Sequence, residues 1–464
     1  MRALICFFSF LFISNALICQ DKTIELPTNN YSQGYDIYPI DTSGVFVVER
    51  TGQVKSRNLV KQVYHLDTDL EIQNVFSIQM DNRYRKVSFQ SDANGVYYLY
   101  QNRLQLALMH VRPNGEYKVT EIPLVETMDI RHFHVTDGNI LIGGIFEFKP
   151  TFWLYRMETG RLIALRGSYD DNVQLKQSRI HADQGVMSIM TANQHNIRFF
   201  DYEIRHFDIE GNFLRLVKLQ PPGGEYINHA VVSDFVGTEQ FVFGDYTDKN
   251  KRGHSGIFVA KIKANGEVEY NMSPYFKIPG FYTRFPEKRA QRKKQKAEEQ
   301  MAKKGAWATS ERFSFYLPHL YNDKIYVAAV STHRSDENVY QFAFNLRGKI
   351  AGMSVTRFQK WQTYKLLNQL NDNDRPIGLN WVHNDEFYFV SKWRARLTTR
   401  VMNINGVQAY ESKIPLVFEN RAFGLNNRGM NYWYDNRILT SGRIYPKGST
   451  IGEFVLTSWT LDAN

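Results

Sequence analysis

The sequence predicts an all-β chain whose sheets close into a ring, and three observations carry that reading. Short β-branched or aromatic runs are broken by Gly, Asn and Asp turns at a regular period. The two ends of the chain read as matching parts of one sheet. After the first twenty residues, no apolar run reaches the ~20 residues that a membrane-spanning helix needs. The 464 residues are 43% hydrophobic, 14% aromatic and 22% charged, which excludes wholesale disorder, collagen and coiled coil. A chain of this length makes about three domains or one repeat array. The turns decide for the array.

The first element is a leader. Met1-Arg2 precede an apolar run from Ala3 to Ile13, interrupted by Ser9, and apolar character resumes up to Cys19. Polar Gln20-Asp21-Lys22 follow. One basic residue, an apolar segment and a polar junction make a secretory signal peptide over residues 1–19, cleaved near Cys19 or Gln20. Lipidation of Cys19 is the competing reading, but Ile18 stands where lipoprotein processing wants a small residue. Cys6 and Cys19 are the only cysteines. The exported chain is therefore expected to hold itself together with a large core rather than disulfides, and cysteine-ligated zinc is disfavoured.

Residues 20–464 read as one domain built on a repeat. Each unit has a β-rich run, a turn that supplies positive φ, and a second alternating run, which is a hairpin signature. The turns fall at Asp69, Gly115, Gly160, Gly211, Gly266, Gly348 and Gly406, at intervals of 46, 45, 51, 55, 82 and 58 residues. A period of about 40–55 residues holding two hairpins is that of a propeller blade. Residues 453–462 read as a strand that ends before its partner, and residues 23–27 as a strand with no predecessor. The latter resemble the outer strands at 120–123 and 412–415. Pairing 23–27 beside 454–461 would close the ring and remove an exposed sheet edge. The expected fold is a closed β-propeller of eight blades, or seven if the copy at Gly160 is not a full blade. Two stacked β-sandwiches would leave the spacing and the matching ends unexplained.

The long interval contains an insertion at residues 286–305. Lys288, Arg289, Arg292, Lys293, Lys294, Lys296, Lys303 and Lys304 stand there against Glu287, Glu298 and Glu299. That is +5, half of the chain's formal +10. Helix formers fill the remainder, with Pro286 at the start and Gly305 at the stop. The expectation is a wet basic helix inserted within a blade. It either aids solubility or touches an acidic partner or anionic lipid headgroups, a peripheral membrane contact. Nucleic acid is not expected of an exported chain.

Loops joining second and third strands carry the candidate binding residues. They are Lys149 after Phe148, Arg252 and His254 in the loop after Asp245, and His333 with Arg334. Trp393, Arg394 and Arg396, then Tyr445 and Lys447, hold the equivalent places later. Their convergence would build a cationic, aromatic-edged mouth suited to carboxylates, acidic glycans or an acidic protein surface.

Catalytic signals are missing. There is no Gly-x-Ser-x-Gly elbow, Walker loop or His-Glu-x-x-His. His132 and His134 share a strand face as metal ligands do, but no third ligand can be nominated, so both read as structural. Asp170-Asp171, residues 371–374 and residues 245–250 read as solvated loop carboxylates, the last lacking a calcium loop's final Glu. No cofactor or metal is expected.

In period and strand pattern the chain resembles β-propellers, without any one family's motif. No copy has the Trp-Asp pair of WD40 blades, and Tyr432-Trp433-Tyr434-Asp435 is a single near-match to a repeated Tyr-Trp-Thr-Asp series. Gly143-Gly144 and Gly223-Gly224 are the only kelch-like pairs, and Met157 to Leu162 resembles one quinoprotein turn. The leader and the propeller pattern together resemble exported propeller-like proteins of Bacteroidota, a group whose membership implies no particular activity. The resemblance implies a periplasmic, outer-membrane-associated or cell-surface location. By elimination and charge, the expected function is non-enzymatic binding or scaffolding. The partner would be anionic: an envelope protein with an acidic surface, or an acidic glycan. The alternative is a polysaccharide lyase or hydrolase whose groups converge only in three dimensions.

Overall fold

The computed structural model describes residues 18–461 except 27–33, 166–172, 359–377, 404–408, 445–452 and shorter breaks of one to four residues. Each repeat folds as a four-stranded antiparallel meander, numbered here as sheets 1 to 8. Sheet 1 comprises Tyr35–Pro39, Val45–Glu49, Asn58–Leu66 and Ile72–Asp81, with Gln53–Lys55 laddered onto its third strand. Sheet 2 comprises Arg85–Asp92, Gly95–Asn102, Gln105–Val111 and Tyr117–Pro123. Sheet 3 comprises Asp129–Thr136, Asn139–Phe146, Lys149–Arg156 and Arg161–Ala164. Sheet 4 is Val173–His181, Val186–Asn196, Phe199–Asp208 and Phe213–Leu219; sheet 5 is Tyr226–Val236, Glu239–Thr247, Gly256–Ile262 and Val268–Pro274. One pair, Phe200 with Ile227, links these two.

In sheet 6 the first position is split between Arg312–Phe315 and His319–Tyr321, followed by Lys324–His333, Asp336–Asn345 and Ile350–Phe358. Sheet 7 comprises Gly378–His383, Glu386–Trp393, Arg396–Asn403 and Ala409–Pro415. Sheet 8 has three strands from the C-terminal region, Gly424–Tyr432, Arg437–Ile444 and Glu453–Leu461. Its fourth strand is the N-terminal Ile18–Leu26. The register is Thr23 with Thr457, Ile24 with Leu456, Glu25 with Val455 and Leu26 with Phe454. The pairing expected of the two ends is thus present.

Burial explains why the middle strands lack alternation. Second and third strands such as Glu239–Thr247 and Glu453–Leu461 are buried almost without interruption, because another sheet packs on each face. Fourth strands such as Phe213–Leu219 alternate, with one side wet. An apolar cluster fills the space between each sheet and the next. Tyr98 and Met109 of sheet 2 meet Phe46 and Val48 of sheet 1, and Leu141 and Phe152 of sheet 3 meet Met187 and Phe207 of sheet 4. The last cluster joins Trp433, Leu439 and Phe454 of sheet 8 to Tyr35, Val45 and Tyr64 of sheet 1. There the Trp433 indole donates to the Gly44 carbonyl at 2.9 Å. First strands lie against first strands around the same sequence, including those of sheets 8 and 1.

The basic segment is a helix, Glu287–Lys304, closed by Gly305 at φ 65°, whose N–H reaches the Met301 carbonyl at 2.8 Å. It lies between the last strand of sheet 5 and the first of sheet 6, connecting two sheets instead of interrupting one. Ala297 is its buried residue, and Arg289 and Lys293 lie over the Phe285 ring at 5.0 and 4.7 Å. Among the described residues no helix is long and apolar enough to cross a membrane.

Candidate functional site

A meander sends its connections to two opposite edges. Second-to-third turns leave from one edge; first-to-second and third-to-fourth turns leave from the other. Charge divides the same way. The eight second-to-third connections contain, in sequence, eleven Lys and Arg against two carboxylates. The opposite connections contain thirteen carboxylates against four Lys and Arg, and the first-to-second turns contain no Lys or Arg at all. By these turns one edge is basic and the other acidic; the sheet-to-sheet connections share the basic edge and carry, in sequence, Glu126, Asp170, Asp171, Glu225, Asp372 and Asp374 as well as the basic helix.

All five loops expected from the sequence leave the basic edge. Lys149 opens the third strand of sheet 3 and is exposed. His333, Trp393 and Arg396 sit where their strands meet the turns, in the backbone pairs His333 with Asp336 and Trp393 with Arg396. Arg252, Arg334, Arg394, Tyr445 and Lys447 lie outside the described residues. Of the helix residues, Lys288, Arg292, Lys294 and Lys296 are exposed, on the connection that also departs from the basic edge.

His254 is the best-built polar site on this edge. Gly253, at φ 117°, lets the chain pass against the Thr309 carbonyl, and the His254 and Thr309 backbones exchange hydrogen bonds at 2.8 Å. The imidazole Nδ1 is thereby held against Asp245 Oδ2. The sequence suggested a solvated loop carboxylate at Asp245. The structure corrects this: Asp245 is in the second strand of sheet 5 and fully buried. Asn228 occupies a bulge in the first strand, donating to Thr247 Oγ1 at 2.9 Å and to Asp245 Oδ2 at 3.3 Å. An Nδ1–H that donates to the Asp245 carboxylate leaves the Nε2 lone pair free of that contact, on a side chain that keeps 15% exposure. Across the ladder from Asp245, His229 is buried against Phe315, and burial pushes its pKa down to about 4.

Four other histidines serve the interfaces between sheets. His132 Nδ1 and His134 Nε2 both reach Ser178 Oγ of sheet 4 at 3.0 Å. Burial lowers His132 to about 3 and His134 to about 4, so both are neutral imidazoles sharing one hydroxyl. His181 Nε2 meets Ser188 Oγ at 2.7 Å, and its Nδ1 lies 3.2 Å from Asp234 of sheet 5. His206 bonds Gln240 at 2.8 Å, across the same interface, and burial lowers it to about 4. The Gln177 side chain donates to the Val232 carbonyl and accepts from its N–H, both at 2.9 Å, acting as a strand surrogate. Gln90 does the same to Val135. Apart from His181 with Ser188, these contacts join residues more than thirty positions apart, and no local feature of the sequence announces them. Among the described residues no three His, Cys, Asp or Glu side chains converge as a metal site.

A second charged group lies at the sheet 1–2 boundary. Asp36 is bound by Lys86 at 2.9 Å and Arg50 at 3.1 Å. Burial alone would raise Asp36, but the two cations outweigh it and hold the carboxyl well below its ordinary range. Burial, reinforced by Lys86, brings Lys61 down to about 8.

No family model matches the chain, and no curated protein does. Several solved structures are similar over most of its length. The β-propeller domain of Nup133 from Vanderwaltozyma polyspora matches at a TM-score of 0.42 and 10% identity, over 88% of this chain and 99% of that one. A catalytically inactive virginiamycin B lyase from Staphylococcus aureus matches at 0.39 and 12%, over 87% and 99%. A prolyl endopeptidase matches at 0.42 and 11% over 92% of this chain, which spans about half of that longer one, 53%. The likeness concerns propeller-like fold alone.

Proposed function

We propose that the chain is a closed eight-bladed propeller, exported to the cell envelope, that binds an anionic partner through its basic edge. The cyclic order of interface clusters and the composite sheet 8 support the closed ring. The division of charge between the two edges carries the functional reading, because turn preference accounts for the Asp residues of one edge but not for the eleven Lys and Arg in the second-to-third connections of the other. The role is binding or scaffolding, with the helix Glu287–Lys304 extending the positive field. Acidic polymers test it. Poly-L-glutamate and heparin should be retained at low salt and released as salt rises, and Arg394→Ala with Arg396→Ala should weaken retention. Retention that is indifferent to salt and to these changes contradicts the proposal.

The second reading is a polysaccharide-active enzyme, and the Asp245–His254 pair favours it, as a proton acceptor beside cationic turns. Turnover of an acidic polysaccharide that His254→Gln abolishes while binding persists would establish that reading.

A further inference from the structure

We infer that the basic edge is built to hold an acidic protein segment that also carries apolar side chains, with Phe148 as the anchor. This rests on the basic-edge reading and adds the chemistry of the partner.

Five sheets close their first-to-second turn with two residues, and five close their second-to-third turn with two. A two-residue hairpin needs positive φ, which Asn, Asp and Gly adopt most easily. On the acidic edge every such turn obeys: Ala93-Asn94, Asp137-Gly138, Gly237-Thr238, Asn322-Asp323 and Asn384-Asp385. On the basic edge none does: Arg103-Leu104, Glu147-Phe148, Ile197-Arg198, Arg334-Ser335 and Arg394-Ala395.

The backbone registers the difference. On the acidic edge the non-glycine residues with positive φ among the described residues are Asp41, Asn322, Asp323 and Asp435 in first-to-second turns and Leu70, at 57° and buried, in a third-to-fourth turn. On the basic edge they are Ser56 at 57°, Arg103 at 45°, Glu147 at 45° and Phe148 at 66°. A bulky side chain in the left-handed region is strained, and strain of this kind gathers where a side chain must be displayed.

What is displayed is a mixture. Four of the five basic-edge pairs contain Arg, the fifth has Lys149 next to Phe148, and three contain Leu, Phe or Ile. Phe148 is 87% exposed and Val54, in the corresponding connection of sheet 1, is 62% exposed. These exceed every other exposed large hydrophobic side chain among the described residues. Cations alone would suit a glycan or any polyanion. Cations beside the bare side chains of Val54 and Phe148 suit a polypeptide whose carboxylates alternate with apolar groups.

Three polymers separate the outcomes: poly-L-glutamate, a random copolymer of glutamate and tyrosine, and heparin. The copolymer should bind more tightly than poly-L-glutamate. Phe148→Ala should weaken copolymer binding about tenfold and leave poly-L-glutamate unchanged. Glu147→Asn with Phe148→Gly should raise the melting temperature by about 2 °C while losing the same copolymer affinity. If poly-L-glutamate binds but Phe148→Ala changes nothing, or if heparin binds best of the three, the inference falls and the basic-edge reading stands. An unchanged melting temperature in the double variant removes the strain on which the inference depends. If none of the three polymers binds, the basic-edge reading falls and takes this inference with it.

Discussion

The two edges of the sheets are made by the same kind of hairpin and solve its geometry in opposite ways. In the two-residue turns of the acidic edge local sequence and local backbone agree: Asn322 and Asp323 sit at φ 45° and 55°, conformations their short polar side chains tolerate, while Leu70 at φ 57° in a third-to-fourth turn is that edge's exception. On the basic edge Glu147 and Phe148 sit at 45° and 66° with nothing in their chemistry to favour it. The difference teaches that turn residues follow local preference where they only need to turn. Where they depart from it, another demand is being met. Acidic-edge variants should therefore cost stability and spare binding, and basic-edge variants the reverse.

Acid should produce the largest effect, and on neither edge. His132, His134, His206 and His229 lie along the strands between the edges, with pKa values lowered by burial to about 3, 4, 4 and 4. An unfolded histidine takes up its proton near pH 6.5, so the unfolded chain binds protons first as pH falls. The stability these groups give is complete above about pH 6.5 and is lost progressively toward pH 4, by about 1.4 kcal/mol per pH unit for each group. Denaturant midpoints across that range should fall steeply, and His206→Gln should make the fall shallower. A flat profile would mean that the imidazoles are not buried neutral.

On the acidic edge Gly95 has φ 131°, and a Cβ there would strike the Val111 carbonyl oxygen. Gly95→Ala should lose about 3 kcal/mol, read from the denaturant midpoint, with binding of anionic polymers intact. Between the edges, Ser178→Ala strands two half-buried imidazoles and should lose about 1 kcal/mol. The smallest structural effect belongs to the basic edge. Arg103→Gln with Lys149→Gln should move stability by less than about 0.5 kcal/mol while weakening polyanion retention. If that pair unfolds the protein, its side chains are structural and the contrast between the edges collapses.

Much of this architecture can be read from the chain itself. The turn residues Gly115, Gly160, Gly211, Gly266 and Gly348 all have positive φ in third-to-fourth turns, as their spacing implied. The matching ends pair in register, because the alternation at Ile24 and Leu26 fits one face of the strand Glu453–Leu461. What could not be read depends on folding distant segments together. Asp245 looks like a loop acid until His254, nine residues on, turns back onto it. Ser178 has no local feature that announces two histidines 44 and 46 residues away. One signal was available and passed over. A two-residue gap between β-rich runs that lacks Gly, Asn and Asp marks a turn chosen for its side chains. Glu147-Phe148 and Arg394-Ala395 both fit that description.

Backbone hydrogen exchange in the presence of the glutamate–tyrosine copolymer tests the functional edge most directly, since it reports both edges of every sheet in one experiment. The account predicts added protection at the second-to-third connections, around Arg103, at Glu147 to Lys149 and at Gly253 to Ser255. It predicts none at Asp41 to Gly44, Ala182 to Gly185 or Asn322-Asp323. Protection confined to those acidic-edge turns, or spread equally over both edges, would contradict it.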